Sequence, residues 1–295
     1  MDNTVIFQAE RPRLISLCYR MLGERAAAED AVQDTYLRWA QADHAVIADP
    51  AAWLTRVATR IAIDALRSAR ARREIYVGPW LPEPLVVTAD QPVEQDYILA
   101  QDCNLALLWA MERLDATERA ALILRDVFDA DYSDLAETLD KSEAACRQLV
   151  SRARRRVQEA GPRFEAPAAQ VSDLIARFFA AAATQDFDRV KSLLSPQAVA
   201  LSDGGAKVRA ARRPLNGPTE IAQVMVAITS KYGTADGQRY VPCHSNGAPA
   251  LVHLEGGKPQ SVITLMPDAN GQIGWIYMMR APAKLRGITG QTALA

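Results

Sequence analysis

Arg147, Gln148, Ser151, Arg154 and Arg155 recur at helical spacing and would give one surface a dense set of hydrogen-bond donors. Arginine and glutamine can each bond two-pronged to purine edges in a DNA major groove, and further arginines can hold phosphates. At about 100° per residue, Ala145, Cys146, Leu149, Val150, Ala153 and Val157 fall on the opposite side, so the helix has a packing face and a basic face. A merely solvated surface could also carry Arg147, Arg152, Arg154, Arg155 and Arg156 against the acid Glu143. The preceding residues favour groove binding. Tyr132 to Leu139 has the spacing of a short helix, Asp140-Lys141 forms a turn, and Ser142 stands where an N-cap belongs. Helix, tight turn and basic second helix make a helix-turn-helix.

Such a helix needs partners to position it, and two more helical segments stand out. In Glu24 to Ala40, Val32, Thr35, Tyr36 and Trp39 share one side, while Asp30, Gln33, Asp34, Leu37 and Arg38 are displayed on the other. After Pro50 a long helix follows. Its expected inner face is Val57, Ala58, Ile61, Ala62, Ala65, Leu66 and Ala69, with Thr59, Arg60, Ile63, Arg67 and Arg70 outward and Arg72-Arg73 extending a basic track. An outward isoleucine among arginines suits DNA, where it can touch a base or sugar while the arginines neutralise phosphates.

The chain has 295 residues, 49% of them hydrophobic, enough for two or more packed domains. With no charged leader and no apolar run near 18 residues, a cytoplasmic protein is expected. Cys18, Cys103, Cys146 and Cys243 are scattered, so neither a disulfide framework nor a metal site is expected, and no cofactor. The net charge of −1 conceals an asymmetry: residues 1–169 hold 21 Lys/Arg and 27 Asp/Glu, whereas residues 170–295 hold 13 and 8. Within the acidic part, residues 56–74 carry six arginines against Asp64 and Glu74. Positive charge concentrated on particular helices and acid elsewhere imply a second, non-DNA partner.

The order acidic helix, basic helix, linker, helix-turn-helix resembles the extracytoplasmic-function (group IV) sigma factors of bacterial RNA polymerase. The matching strings run Ala28 to Trp39, Ala58 to Arg67 and Ala144 to Arg155, and the likeness spans most of residues 5–160. The resemblance implies that Asp30, Gln33, Asp34 and Arg38 dock on the polymerase β′ clamp, with β as a further contact. It assigns Arg60, Asp64, Arg67 and Arg70 to the minus-10 element, and Arg147, Gln148, Ser151, Arg152 and Arg155 to minus-35. Many relatives carry Asn at the position matched by Arg60, a departure from the family's pattern on which the general minus-10 role does not depend.

Three prolines within Pro79 to Pro84 suppress a helix, and Trp80 and Leu81 offer an anchor. The string Trp80-Leu81-Pro82-Glu83-Pro84 resembles the signature of the sigma subgroup with a fused SnoaL-like domain. Two more strings resemble that subgroup's motifs: Asp203-Gly204-Gly205-Ala206-Lys207, with alanine replacing a glycine, and Ala281-Pro-Ala-Lys284-Leu285, which has lost an Asn and an Asp. These residues are expected to act between domains. The glycines permit a turn that brings Asp203 and Lys207 to its mouth, as a structural turn or a ligand site.

After residues 161–169 the pattern changes to helices over Val171–Thr184, Asp186–Leu194 and Pro218–Tyr232. Strands follow over Gln238–His244, Ala250–Glu255, Gln260–Met266 and Gln272–Met279, with turns at Asn246-Gly247, Gly256-Gly257 and Asn270-Gly271. This α+β pattern resembles the SnoaL-like cone, a half-barrel sheet around a pocket that could take a small molecule. The expected organisation is multidomain: an all-α sigma region 2 (1–74), a linker (75–98), an all-α region 4 helix-turn-helix (99–160), a second linker (161–169) and a SnoaL-like regulatory domain (170–295). SnoaL relatives include enzymes that use Asp and His as acid and base, for which Asp203, His244 and His253 are the candidates. The subgroup instead implies regulation in cis and no catalysis, and the opposite charge balances of the two parts suit docking, subject to screening within about 8 Å. A DNA-binding regulator that works without core polymerase is the alternative.

Overall fold

The computed structural model describes residues 2–73, 76–87, 103–160, 166–205, 207–232 and 237–288. The side chains of Arg72 and Arg73, residues 88–98 and 161–165 of the linkers, and Ala206 lie outside the described residues. Two compact units form: Met1–Ile75 with Ala106–Gly161, and Tyr76–Leu105 with Pro162–Ala295.

The first unit is helical. α1 (Asn3–Leu22) is capped by Asp2, whose side chain accepts from the Thr4 N–H, and closes on Gly23 in the left-handed region. α2 (Arg25–Ala40) and α3 (Pro50–Arg73) pack on it. Pro50 suits the first helical position, where its missing N–H costs nothing, while the Asp49 side chain accepts from Ala52 N–H at 3.0 Å. Leu14, Leu17, Val32, Trp39, Leu54, Ala58 and Leu66 are buried between these helices. The second half comprises α4 (Leu105–Met111), α5 (Ala116–Asp126), α6 (Tyr132–Leu139) and α7 (Glu143–Ala160). A capping box between Asp115 and Glu118 starts α5, and Asp140, at φ 53°, turns the chain sharply after α6. The burial alternation of α7 matches its sequence pattern: Cys146, Leu149, Val150 and Ala153 are buried, whereas Arg147, Gln148, Ser151 and Arg152 are exposed.

One expectation fails in α3. Thr59 and Ile63, expected to point outward, are 0% and 7% exposed, because α3 packs against α5 and α6 as well as α1 and α2. The wheel separates polar from apolar faces, but it cannot reveal that two later helices of the same unit pack on part of the basic one.

The second unit is built on a seven-stranded sheet of order β1-β4-β5-β6-β7-β2-β3. β4 (Gln238–Ser245), β5 (Ala248–Glu255), β6 (Lys258–Pro267) and β7 (Ile273–Met279) form the expected antiparallel meander. Asn246 and Gly247, at φ 51° and 76°, supply the paired positive angles of a tight hairpin. Three strands were not anticipated: β1 (Val86–Val87) from the linker, β2 (Leu194–Asp203), which runs parallel to β7, and β3 (Leu215–Asn216). α8 (Ala168–Ala183), α9 (Phe187–Ser192) and α10 (Pro218–Tyr232) bury a core of Phe178, Val190, Ile221, Ile263, Leu265 and Ile276. Alternate residues of the same strands, Val262, Thr264, Tyr277 and Met279, face Leu81, Pro82 and Pro84 of the linker on the other side.

Candidate nucleic-acid interface and linker clamp

The helix-turn-helix holds α7 by ion pairs that leave its middle displayed. Arg154 forks onto Asp126 of α5 at 3.0 and 2.6 Å, and its pKa rises through that hydrogen bond. Arg156 donates to Glu118 at 2.6 Å, and Arg152 stands 4.0 Å from the same carboxylate, which is almost fully buried. Arg147 bonds Glu143 at 2.8 Å and lies 4.7 Å over the Tyr132 ring, so α6 positions it. Gln148, Ser151 and Arg155 are exposed between these braced residues. The expected minus-35 set is thus brought onto one face, and Arg154, outward on the wheel, is a brace.

On α2 the structure displays Asp30, Gln33, Asp34 and Arg38 together, around a half-exposed Leu37. Behind them Val32, Thr35 and Trp39 are buried, and Trp39 Nε1 donates to the Asn3 carbonyl at 2.9 Å. An apolar side chain within a polar face is an arrangement that suits a protein partner.

The α3 arginines are engaged within the unit. Arg60 donates through Nε to Thr138 O at 3.0 Å and through Nη2 to Glu137 O at 2.8 Å. Arg67 reaches Thr117 Oγ1 at 3.4 Å and lies 3.6 Å from the exposed Asp64. Arg70, expected outward, is half-buried and donates to Glu112 O at 3.3 Å. Burial lowers its pKa, which the charge of Glu112 partly offsets. Arg67, Arg70, Asp115 and Thr117 line an open crevice of about 500 Å³.

In the second unit the subgroup motifs converge on one buried network. Asp203, at the end of β2, is fully buried; Oδ1 accepts from the Tyr76 hydroxyl and from Gly205 N–H at 3.0 Å, and Oδ2 from Leu81 N–H at 2.9 Å and Lys284 Nζ at 2.9 Å. Lys284 also donates to the Leu81 carbonyl and sits 3.9 Å over the Trp80 ring. A buried ammonium needs such partners, and here it gains a carboxylate, a carbonyl and an aromatic face. The glycines make the turn possible: a Cβ on Gly204 would lie 2.2 Å from Val208 O, and Gly205 has φ 62°. Trp80, Leu81, Pro82 and Pro84 are buried and Glu83 is half-buried. Lys207 is exposed, with its backbone N–H on Gly204 O at 3.3 Å. Further along, Leu85 N–H donates to Asn246 Oδ1 at 3.1 Å, Asn246 N–H returns a bond to Leu85 O at 2.9 Å, and Val86 and Val87 pair with Ser245 and His244.

Tyr76 and Asn246 were missed as linker holders. Tyr76 opens the proline-rich core but precedes its first proline and carries no signal of its own, and Asn-Gly carries only a turn signal. Of the acid-base candidates, Asp203 is taken up by the linker network and His244 is exposed on β4. His253 is half-buried beneath the Tyr240 ring at 4.7 Å, and burial lowers its pKa. Cys18 and Cys243 have thiols pushed up to about 12 by burial, which suits inert core residues.

Residues 6–72 match the family model for Sigma-70 region 2, and residues 104–157 that for Sigma-70 region 4. Among curated proteins the chain is 40% identical over 230 residues to the ECF RNA polymerase sigma factor SigJ of Mycobacterium tuberculosis, across 77% of this chain and 73% of that one. It is 32% identical over 192 residues to the probable ECF sigma factor SigI of the same species, across 64% and 66%. The crystal structure of M. tuberculosis SigJ aligns with TM-score 0.77 and 31% identity over 95% of this chain and 97% of that one.

Proposed function

The chain belongs to the extracytoplasmic-function sigma factors, which join core RNA polymerase to start transcription at chosen promoters, and on that premise we propose how its own surfaces divide the work. Asp30, Gln33, Asp34 and Arg38 bind the polymerase β′ clamp. Arg60, Asp64, Arg67 and Arg70 serve the minus-10 element, while Arg147, Gln148, Ser151, Arg152 and Arg155 serve minus-35. The observation that carries this reading is the separation of faces on α2 and α7: each buries most of its apolar side and displays the polar set that a partner would read. Sigma factors are initiation factors, so His253 and Asp203 are given no catalytic role.

Run-off transcription with core polymerase tests the assignment. Asp30→Arg with Asp34→Arg should abolish the transcript while promoter-duplex binding by the free factor persists. Full transcription by this double variant would leave α2 without its polymerase role and favour a DNA-binding regulator.

The SnoaL-like domain is proposed to modulate the factor in cis through the linker. Support comes from the burial of the Trp80 to Pro84 string against Asp203 and Lys284. The space left beneath the linker is about 10 Å³, hardly room for one water. A small molecule acting on that face would therefore have to displace Leu81 to Pro84. Asp203→Ala, which cuts the clamp in the full chain, should change transcript yield from a cognate promoter; an unchanged yield at every promoter tested would refute modulation through this clamp.

A further inference from the structure

Between Asp203 at the end of β2 and Leu215 at the start of β3, residues 207–213 read Lys-Val-Arg-Ala-Ala-Arg-Arg and form neither helix nor strand. Four of the 13 basic residues of 170–295 fall within these seven positions, and no acid stands between Asp203 and Glu220. The side chains sort by kind. Lys207, Arg209, Arg212 and Arg213 are exposed, whereas Val208, Ala210 and Ala211 are half-buried. The backbone fixes that sorting at three points. Val208 N–H donates to Gly204 O at 3.1 Å, the Arg209 carbonyl accepts from the Arg280 guanidinium, and a Cβ on Gly78 would lie 3.3 Å from Ala211 O.

The charges on this loop are not used up within the fold. Arg213 forks onto Glu220 at 2.5 and 3.3 Å, but Lys207, Arg209 and Arg212 have no ion pair among the described residues. Like charges held close on a tethered loop repel one another, a cost that an anionic partner removes. Its absence of apolar groups tells which partner. The polymerase-docking face of α2 sets Leu37 among its polar residues, as a protein interface requires. Here every apolar side chain turns inward and only cations are offered, which matches the polar, strongly positive surfaces that meet a nucleic-acid backbone.

We propose that Lys207, Arg209 and Arg212 are a phosphate-binding surface of the C-terminal unit for duplex DNA, separate from α3 and α7. Such a surface reads no bases; it adds affinity that is indifferent to sequence and steeply dependent on salt. The proposal deepens the sigma-factor reading, which supplies promoter DNA as the duplex at hand, but the phosphate contact does not depend on which elements α3 and α7 read.

Fluorescence anisotropy with the full chain tests it, using a labelled promoter duplex and a scrambled duplex of equal length between about 50 and about 200 mM salt. Lys207→Gln with Arg209→Gln and Arg212→Gln should make the slope of log Kd against log salt shallower by about 2–3 on both duplexes, at about 0.9 per phosphate released. Arg209→Lys with Arg212→Lys keeps both charges and should keep the wild-type slope. Arg189→Gln with Lys191→Gln and Lys258→Gln removes three exposed cations elsewhere in the same unit and should move the slope by less than about 1. A wild-type chain that fails to bind either duplex at low salt, an unchanged slope in the loop variant, or an equal loss in the control variant would overturn the contact. Weaker binding of the loop variant to core polymerase with an unchanged DNA slope would place the loop on a protein and overturn it as well. If the loop variant loses slope while run-off transcription shows no promoter dependence, the phosphate contact stands and the promoter assignment fails.

Discussion

Replacing Asp203 by alanine should free the linker more than replacing Lys284 by methionine, although both changes break the same ion pair. The difference lies in what each leaves behind. Without the carboxylate, the Tyr76 hydroxyl, the N–H groups of Leu81 and Gly205, and the Lys284 ammonium all lose an acceptor in a buried site. An unsatisfied buried donor costs about 1–3 kcal/mol, and a buried charge stripped of its partner about 3–5 kcal/mol. Water entry and relaxation prevent these from adding, so about 5 kcal/mol is expected. Lys284→Met leaves Asp203 with three donors that still stabilise its charge, and the methionine side chain keeps the contact with Trp80, so the expected cost is about 3 kcal/mol. Native-state hydrogen exchange at the Leu85 amide, which donates to Asn246 Oδ1 at 3.1 Å and keeps that acceptor in both variants, measures this opening. A difference near 2 kcal/mol is more than tenfold in protection, since about 1.4 kcal/mol is tenfold. Equal loss in the two variants, or a greater loss in Lys284→Met, would refute the view that the carboxylate is the hub.

Other consequences can be checked separately. Gly204→Ala should destabilise the C-terminal unit by about 1–3 kcal/mol in a denaturant titration, because the new methyl meets the Val208 carbonyl and the Ala210 side chain. Gln148→Ala should relax base preference at one minus-35 position by about 1–3 kcal/mol in competition binding, with little change in salt dependence because no phosphate contact is removed. His253 has a pKa lowered by burial, so below about pH 6.5 the unfolded chain binds a proton that the folded one resists. Stability of the C-terminal unit should therefore fall as pH drops through that range, and His253→Gln should flatten the slope.

The helices and the hairpins were legible because each depends on local pattern. The apolar stripe of α7, the Ser142 cap and the Asn246-Gly247 turn act over a few residues, and the Ser142 hydroxyl indeed accepts from Ala145 N–H at 3.2 Å. What escaped depends on neighbours distant in sequence. Ile63 reads as outward on its own helix and is buried by residues far along the chain. Likewise β2 contains Pro196 and the exposed Gln197 side by side, so its pairing with β7 has no local signal. Trp80 could be recognised as an anchor, but the chemistry that holds it, Asp203 and Lys284, lies more than a hundred residues away.

Val86 and Val87 pair with the edge strand β4, so the linker and the C-terminal unit each cover backbone and apolar groups that the other would otherwise leave to water. Cutting the chain before residue 170 would leave Trp80, Leu81, Leu85 and Val87 in water as a short apolar β-prone string, the kind of segment that chaperones and fibrils collect. A shortened factor would thus lose solubility as well as any restraint. Conversely, a lineage that shed this domain would have to rewrite its linker in polar residues to remain a soluble protein.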